Sequence, residues 1–438
     1  MAKSDSKPKG KSMFRKFWLD VILGTSFIFG LMFLFSSFTA FRIFDVFDPI
    51  GQAFEDMEMT DVVFSQLRDQ PVVDDRVVLV NVGNRSRFEI AMMIDSINQF
   101  NPAAIGVDIF FDFPKEEDPI GDSLLAANLA KVKNLVMVSK LMLNTETDEF
   151  DSIKLTHKSI LGDAQTAFAN LHTEAANQED LKMCRTFTPQ EMVNGQNQLA
   201  FSVKLASIMD KNKTDQFLER SKSVEVINYR GNILDYGATK FGSMFFALDH
   251  GEILEPYYNE ETGGYERRYF PDILTDKVVI FCFMGKYLGD PEALEDKFFT
   301  PINSTYVGRS FPDMYGGVIH ANIIVQILNE DYIDQLESWQ SIFLAILVCF
   351  LNVMVFSWIY KKIPRWYDGV TKLIQLMELL GLLFLMIYVL DSFSLKLDLT
   401  IMLAAVALAG DSLEVYYGVV KNSFTREGRK DLFRVSKI

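Results

Sequence analysis

The fold is decided by residues 76–111, which read RVVLVNVGNRSRFEIAMMIDSINQFNPAAIGVDIFF. Val77–Val82 is apolar on both faces, which is typical of a strand buried on two sides. Asn84 is expected to cap a helix, because apolar residues then recur at helical spacing, namely Ile90, Met93, Ile94 and Ile97. Asn101 precedes a proline and should end that helix. Ala103–Phe110 is predicted to be a second buried strand.

A strand, a helix and a second strand in this order form a βαβ unit, so we predict an α/β domain with a mixed, partly parallel sheet. Ligands of open α/β sheets bind beyond the carboxyl ends of the strands, where Gly83 and Asp108 lie. Both are candidate ligand-pocket residues, and the alternative is that Asp108 only caps or pairs locally. The turn Gly83–Ser86 either presents backbone donors to an anion or is simply a tight strand-to-helix turn.

Charge is distributed unevenly along the chain. Residues 42–338 carry 26 Lys and Arg against 48 Asp and Glu, and the remainder carries 17 against 10, which together give the net charge of −15. Phosphate binding needs a basic surface, so nucleic acid is not an expected partner of the acidic part. The pattern favours a membrane protein with basic cytoplasmic ends.

Four apolar stretches are long enough to cross a bilayer. We predict a cytoplasmic basic tail at 1–16, a transmembrane helix at 17–41, an extracytoplasmic domain at 42–338, transmembrane helices at 339–360, 371–390 and 399–420, and a cytoplasmic tail at 421–438. A cleavable signal peptide is the alternative for the first stretch. An uncleaved anchor is favoured, because Val21–Phe41 is longer than the apolar region of a usual signal peptide.

The basic residues predict the orientation. Basic clusters precede the first span, separate the second from the third and follow the fourth, so four spans put every cluster on one side. The positive-inside rule makes that side the cytoplasm. We therefore expect a multi-pass protein of the bacterial inner membrane, in contact with the lipid bilayer, with the large domain in the periplasm and both termini in the cytoplasm.

The hydrophobic patterns of other segments in the extracytoplasmic domain predict their secondary structure. Asn134–Ser139, Val224–Tyr229 and Lys277–Met284 are predicted strands. Val318–Leu328 is a predicted helix that leads toward the second span. Residues 144–200 are polar and weakly periodic, so we expect mainly helices and loops there.

The cysteines and histidines indicate no cofactor. Cys184 and Cys282 are favoured as buried free thiols, and a disulfide between them is the alternative in an oxidising compartment. The four histidines are scattered and no metal-ligand spacing occurs, so no metal is expected. No phosphate-loop, serine-hydrolase, metalloprotease or kinase signature is present, and we predict no catalytic residue.

Five segments resemble the CHASE2 domain, an extracytoplasmic sensory domain of bacterial membrane receptors. They are AAIGVDIFF, VINYRGN, DKVVIFCFMG, DKFFTPIN and GGVIHANIIVQIL, and they occur in the order seen in that family. The resemblance covers roughly residues 42–338, and the triple span that follows is also usual in the family. The segment between 112 and 272 matches poorly.

The resemblance implies a sensor whose ligand is undefined. The family's motif positions correspond here to Asp108, Gly285, Thr300, Pro301, His320 and Asn322. Gly285, Thr300, His320 and Asn322 therefore join Gly83 and Asp108 as the candidate ligand or sensory pocket. From its sequence context alone, His320 also fits a buried histidine with a local hydrogen-bond partner.

Proteins of this type usually continue after the last span into an output enzyme, whereas about eighteen residues follow Val420 here. We therefore predict that the protein is not an enzyme. It would bind a small molecule or sense another stimulus, and signal through a membrane or periplasmic protein partner. The alternative is a scaffold subunit of a multiprotein cell-envelope complex.

Three acidic residues in the apolar spans, Glu378, Asp411 and Glu414, are predicted to form an intramembrane polar cluster. The helical rise places them at similar depths in the cytoplasmic half of the bilayer. A carboxylate there costs about 2–3 kcal/mol on insertion scales, so it normally has a partner. We expect the cluster to dock a basic or hydroxyl-bearing helix of another protein. The alternatives are that Glu378 and Glu414 only snorkel to the interface, and that the cluster belongs to an ion path.

Overall fold

The computed structural model describes residues 9–37, 59–144, 146–147, 149–172, 183–233, 243–260, 262–303 and 311–421. The chain divides into two compact units. One is an α/β domain at Thr60–Ile333, and the other is a helical unit formed by the chain before and after that domain. Residues 1–8 and 422–438 of the two predicted tails lie outside the described part.

Thirteen α-helices occur in the described residues: α1 Lys9–Ser37, α2 Met59–Val62, α3 Arg87–Asn98, α4 Pro119–Leu129, α5 Lys158–Leu161, α6 Phe201–Met209, α7 Lys211–Glu219, α8 His250–Leu254, α9 Pro271–Leu274, α10 Gly316–Asn329, α11 Ser338–Lys362, α12 Tyr367–Phe393 and α13 Thr400–Val415. π-Helical turns follow α2 and α13, at Val63–Leu67 and Tyr416–Val420, and a 3₁₀ turn, Pro364–Trp366, precedes α12.

The strands in the same residues are β1 Asp74–Asn81, β2 Ala104–Val107, β3 Leu135–Asn144, β4 Glu149–Leu155, β5 Gln165–Phe168, β6 Thr186–Phe187, β7 Gln190–Val193, β8 Gln196–Leu199, β9 Glu225–Val226, β10 Phe245–Asp249, β11 Tyr257–Asn259, β12 Gly264–Glu266, β13 Val278–Cys282, β14 Lys297–Phe298, β15 Met314–Tyr315, β16 Asp334–Gln335 and β17 Leu395–Lys396.

A seven-stranded sheet forms the centre of the α/β domain. Its order is β10–β1–β13–β2–β3–β4, and β5 pairs with β3 beside that path. Every pair is parallel except β3 with β4, which confirms the predicted mixed, partly parallel sheet. The predicted βαβ unit is present, but β13 lies between its two strands, so a segment far along the chain completes the centre of the sheet.

Helices cover both faces of this sheet. Helices α3 and α4 pack on one face, where apolar side chains of β1, β2 and β13 form the main core. Helices α6 and α10 pack on the other face. There Gly106 of β2 lies so close to α6 that a Cβ atom would stand 2.7 Å from the Phe201 ring. Likewise, a Cβ atom on Gly317 of α10 would stand 2.3 Å from Cys282 Sγ. These two glycines let helices and sheet approach closely.

The predicted N-cap of α3, the helix of the βαβ unit, was wrong by two residues. Ser86, not Asn84, caps α3, because its hydroxyl accepts a hydrogen bond from the Glu89 amide while the Glu89 side chain accepts one from the Ser86 amide. Gly83, with φ of +51°, turns the chain first and leaves Asn84 in the turn.

Residues 144–200 differ from the expectation of helices and loops. Their described part contains the five strands β4 to β8, and a single one-turn helix, α5. Strand β4 is largely exposed, and exposed strands can be polar along most of their length, so they lack an apolar period. The predicted strand Val224–Tyr229 keeps only two residues of ladder, β9. The Gln326 side chain of α10 then accepts from the Asn228 amide and donates to the Val226 carbonyl.

The helical unit contains α1, α11, α12 and α13. Four segments are long and apolar enough to cross a membrane, Lys16–Leu34, Ser338–Lys362, Pro364–Phe393 and Thr400–Val420, which confirms one such helix near the amino terminus and three after the α/β domain. Helix α1 begins at Lys9, inside the predicted basic tail. Helices α1, α11 and α13 share a buried cluster that includes Ile28, Val353 and Leu413.

Candidate functional site

The parallel strands β10, β1 and β13 end side by side. Asn81, the last residue of β1, stands opposite Asp249 at the end of β10 and Cys282 at the end of β13. Asp108 follows β2 directly, and its amide donates to the carbonyl of Phe281 in β13 at 2.8 Å. The carboxyl edge of the sheet therefore brings polar groups from four strands together, as the parallel arrangement requires.

Asn81 connects three of these strand ends. Its side chain is fully buried. Its amide nitrogen donates to Asp249 Oδ1 at 2.9 Å and to the Gly285 carbonyl at 3.1 Å, and its oxygen accepts from the amides of Gly83 at 3.1 Å and Met284 at 2.8 Å. All four hydrogen-bonding positions of the amide are used. Sequence reasoning missed Asn81, although one polar residue at the end of an apolar strand was a usable signal.

Gly83 must be glycine for a steric reason. Its φ is +51°, and a Cβ atom would stand 2.6 Å from the ring of His250. The Nε2 atom of that ring lies 2.8 Å from the Lys286 carbonyl, and Nδ1 accepts from Arg85 Nε at 3.1 Å. A ring that accepts at Nδ1 carries a proton on Nε2, which can be donated to the Lys286 carbonyl.

The anion-binding hypothesis for Gly83–Ser86 is not supported by the hydrogen bonds of this turn. The Gly83 amide donates to Asn81, the Arg85 amide to the Val82 carbonyl, and the Ser86 amide to Glu89. These donors are already used within the chain, so the local-turn alternative fits better.

Asp108 and His320 come together at the same edge. Asp108 Oδ2 lies 4.0 Å from His320 Nε2, and the two side chains are 15 % and 4 % exposed. His320 Nδ1 is 2.8 Å from the Ser202 hydroxyl, and its ring meets Phe201 edge-on. Among the described residues, no donor lies within hydrogen-bond distance of the Asp108 carboxyl.

Burial controls the charge of this pair. It raises the pKa of Asp108 to about 8, and the nearby Asp296 carboxylate contributes to the same shift. Burial lowers the pKa of His320 to about 4. The Cys282 thiol close by also has a raised pKa, first because it is buried and then because Asp108 and Asp296 are near. At neutral pH the favoured state is therefore a protonated Asp108 beside an uncharged imidazole.

Ser202, His320 and Asp108 bring together the residue types of a hydrolytic triad, but their arrangement does not suit that chemistry. Ser202 is 1 % exposed, so a substrate cannot reach its hydroxyl. A general base also works best when its pKa lies near the operating pH, and His320 falls well below. The serine instead fixes the orientation of the ring.

Thr300 and Asn322 have structural partners. The Thr300 amide and hydroxyl donate to the two carboxylate oxygens of Asp313, at 2.9 Å and 2.6 Å. Burial raises the pKa of Asp313 to about 7, against the opposing effect of these hydrogen bonds. Asn322 accepts from the Arg230 amide at 2.9 Å and donates to the Gly231 carbonyl at 3.0 Å, so it joins the RGN segment to α10.

A cleft of about 300 Å³ opens near the ends of β1 and β13. It is lined by Asn84, Phe283, Lys286, Asp290, Glu292, Ala293, Leu294 and Glu295. Within the described ranges, no group of three or more His, Cys, Asp or Glu residues could hold a metal ion. Cys184 and Cys282 are buried free thiols, as favoured from the sequence.

The predicted intramembrane acids have separate partners within the helical unit. Glu378 of α12 accepts from Asn352 of α11 at 2.7 Å. Asp411 is bonded by Lys372 at 2.6 Å, and its side chain is 63 % exposed. Glu414 is exposed. Glu378 and Asp411 thus make two distinct polar contacts, the first between α11 and α12 and the second between α12 and α13.

A further acid, Asp20, was missed by sequence reasoning. It is 6 % exposed and accepts from Lys361 at 3.0 Å and from Lys421 at 2.7 Å. The Asp20 carboxylate of α1 thus binds a lysine near the end of α11 and a lysine that follows the last span. A lone acid at the edge of an uncharged stretch was the available signal.

The fold and the four apolar helices fit a membrane protein that carries an α/β domain. The model of the CHASE2 domain family matches residues 56–355, and the chain belongs to this family. No curated protein and no solved structure matches the chain.

Proposed function

We propose that this protein is a non-catalytic receptor of the bacterial inner membrane, whose CHASE2 domain lies in the periplasm and whose signal passes to a separate protein. The observation that carries the proposal is the match to a sensory family over the α/β domain, together with four apolar helices around it. Helix α10, which is buried along nearly its whole length, continues in the chain toward α11. Helix α10 is thus the last helix of the α/β domain before the first of the three later spans.

The contact of Asp20 with Lys361 and Lys421 supports the orientation. It places basic ends of two spans at the same end of the helical unit as Asp20 near the start of the first. Positive charge is retained on the cytoplasmic side of bacterial membranes, so this end belongs in the cytoplasm.

The orientation is tested by cysteine accessibility in intact cells. In a variant whose three native cysteines are replaced by alanine, a cysteine at Asp163 is expected to react with a membrane-impermeant maleimide, because this position is exposed in the α/β domain. A cysteine at Lys362 should react only after the cells are permeabilised. The opposite labelling pattern would refute the periplasmic placement.

Helix α12 offers the best surface for a partner. Only 11 % of its most apolar stretch is buried in the helical unit, against 28 %, 39 % and 44 % for the other spans. Glu378 lies in this helix, half-buried, with Asn352 as its neighbour. An acid at this depth favours a partner helix that supplies a basic or hydroxyl group.

Substitution of Glu378 by Gln is expected to reduce recovery of that partner about three- to thirtyfold, because polar contacts between membrane helices contribute about 0.6–2 kcal/mol. The measurement is co-purification of the full chain in mild detergent. Asp411→Asn is the matched control, since Asp411 already has Lys372, and it should leave recovery unchanged. Equal recovery from wild type and Glu378→Gln would exclude this contact.

The exposed surface of α12 would also serve as the docking surface of a scaffold subunit in a cell-envelope complex. The two functions differ in stoichiometry. A scaffold should purify with fixed amounts of several partners under all conditions, whereas a receptor should bind its partner in amounts that change with the stimulus. Quantitative mass spectrometry of the co-purified proteins distinguishes them.

A further inference from the structure

We infer that Asp108 and His320 form a proton-binding site, and that the stimulus read by this domain is the pH outside the membrane. The inference rests on the proposed receptor function and names its stimulus. The proton is held at the carboxyl edge of the sheet, between the end of β2 and the second turn of α10.

The geometry defines which groups exchange the proton. Ser202 on α6 holds the Nδ1 side of the His320 ring, so Nε2 faces the Asp108 carboxyl across 4.0 Å. With the ring proton on Nδ1, Nε2 is an acceptor, and a protonated carboxyl can close the gap by donating to it. With the ring proton on Nε2, the same ring would instead donate to an ionised carboxyl. The protonation state of Asp108 is therefore decided by its burial and by the nearby Asp296 carboxylate.

The surroundings favour the protonated state. The titratable groups that face Asp108 are His320 from α10, Cys282 from β13 and Asp296 from the loop before β14. None of them is cationic at neutral pH, and no Lys or Arg pairs with Asp108 within the described chain. A second carboxylate nearby and burial both disfavour ionisation, in line with the pKa of about 8.

Access to this site suits a proton better than a larger ligand. The Asp108 side chain is 15 % exposed to solvent, and that of His320 is only 4 % exposed. The described cleft near β1 and β13 is lined by other residues. Water can therefore deliver or remove a proton at Asp108, while an organic ligand would have to displace packed side chains.

The site is coupled to the start of α10. Gly317 brings this helix against Cys282, with no room for a Cβ atom between them, and His320 follows one turn later. When Asp108 ionises above about pH 8, its carboxyl can no longer donate to His320, and a second negative charge appears near Asp296. We expect the start of α10 to shift in response, which loosens the first turns of the helix that leads toward the membrane.

The test uses the full chain in lipid nanodiscs and infrared difference spectra recorded as the pH is raised. We expect loss of a protonated-carboxyl C=O band with a midpoint near the pKa of about 8. Asp108→Asn should lack this component, and His320→Leu should move its midpoint to lower pH because the acceptor is gone. Asp313→Asn is the control, since it should remove a separate component near pH 7 and retain that of Asp108.

Amide hydrogen exchange, corrected for intrinsic rates, tests the coupling. Exchange in the first turns of α10 should rise across the same midpoint in wild type and stay constant in Asp108→Asn. An infrared titration unchanged by Asp108→Asn, or exchange in α10 that ignores the pH step, overturns the inference. Neither result affects the labelling and co-purification tests of the receptor function, so the two failures are distinguishable.

Discussion

Replacement of Asp108 by Asn is expected to stabilise the α/β domain, and the gain should grow as the pH rises. Folding raises the pKa of this carboxyl from 3.8 to about 8, so the folded state retains a proton that the unfolded state has released. Stability is then lost as the pH rises from the unfolded pKa to the folded pKa. Asparagine keeps the shape of the side chain and has no charge to bury.

The expected gain is about 2–4 kcal/mol at pH 8 to 9 and close to zero below about pH 4. A full shift of this size would correspond to about 5–6 kcal/mol at about 1.4 kcal/mol per unit. We expect less, because 15 % of the Asp108 side chain still reaches solvent. His320 acts in the opposite sense. Its lowered pKa makes stability rise between about pH 4 and 6.5, so the wild-type pair should be nearly flat there and lose stability above.

This stability difference is measured by urea unfolding of the full chain in detergent, followed by pulse proteolysis at a series of pH values. Asp163→Asn is a suitable control, since Asp163 is exposed and should show no pH-dependent gain. If Asp108→Asn is as stable as wild type at pH 9, or less stable there, folding does not penalise the ionised carboxyl, and the raised pKa of Asp108 is refuted.

Local patterns were sufficient to predict the four central strands, β1, β2, β3 and β13, and the helices α3 and α10, but not α4 and α6. The run before Asn81 and the helical spacing from Ile90 to Ile97 each carry a period that one window of sequence reveals. The insertion of β13 between β1 and β2 carries no such signal, since it depends on which distant strand best fills the gap. The strands between 149 and 199 were missed for a different reason, since a half-exposed strand has little apolar period.

The candidate site was predictable in position but not in its contacts. The carboxyl ends of parallel strands predicted Asp108, and the family resemblance contributed His320, yet their proximity is known only once α10 is placed on the sheet. Asn322 shows the other limit. A polar residue in a buried helix looks the same in sequence whether it binds a ligand or, as here, the backbone of Arg230 and Gly231.

Removal of Arg185 should have the largest destabilising effect in the α/β domain. This side chain and its partner, Asp61 in α2, are 4 % and 5 % exposed. Arg185 binds both carboxylate oxygens, Nε to Oδ1 at 3.1 Å and a terminal nitrogen to Oδ2 at 2.7 Å. Arg185→Met would leave the Asp61 carboxylate buried without this cation, at a cost of about 3–5 kcal/mol. The shift of the urea midpoint in the full chain measures it.

The exposed pair of Lys131 with Asp95 provides the contrast. Its side chains are 58 % and 36 % exposed, so Lys131→Met should cost less than about 1 kcal/mol. The double substitution Asp61→Leu with Arg185→Met should recover most of the stability lost in Arg185→Met, because it removes the buried charge together with its partner. If the double variant is as unstable as the single one, the cost arises from lost packing around Arg185. The buried charge of Asp61 would then not be the reason that α2 depends on this arginine.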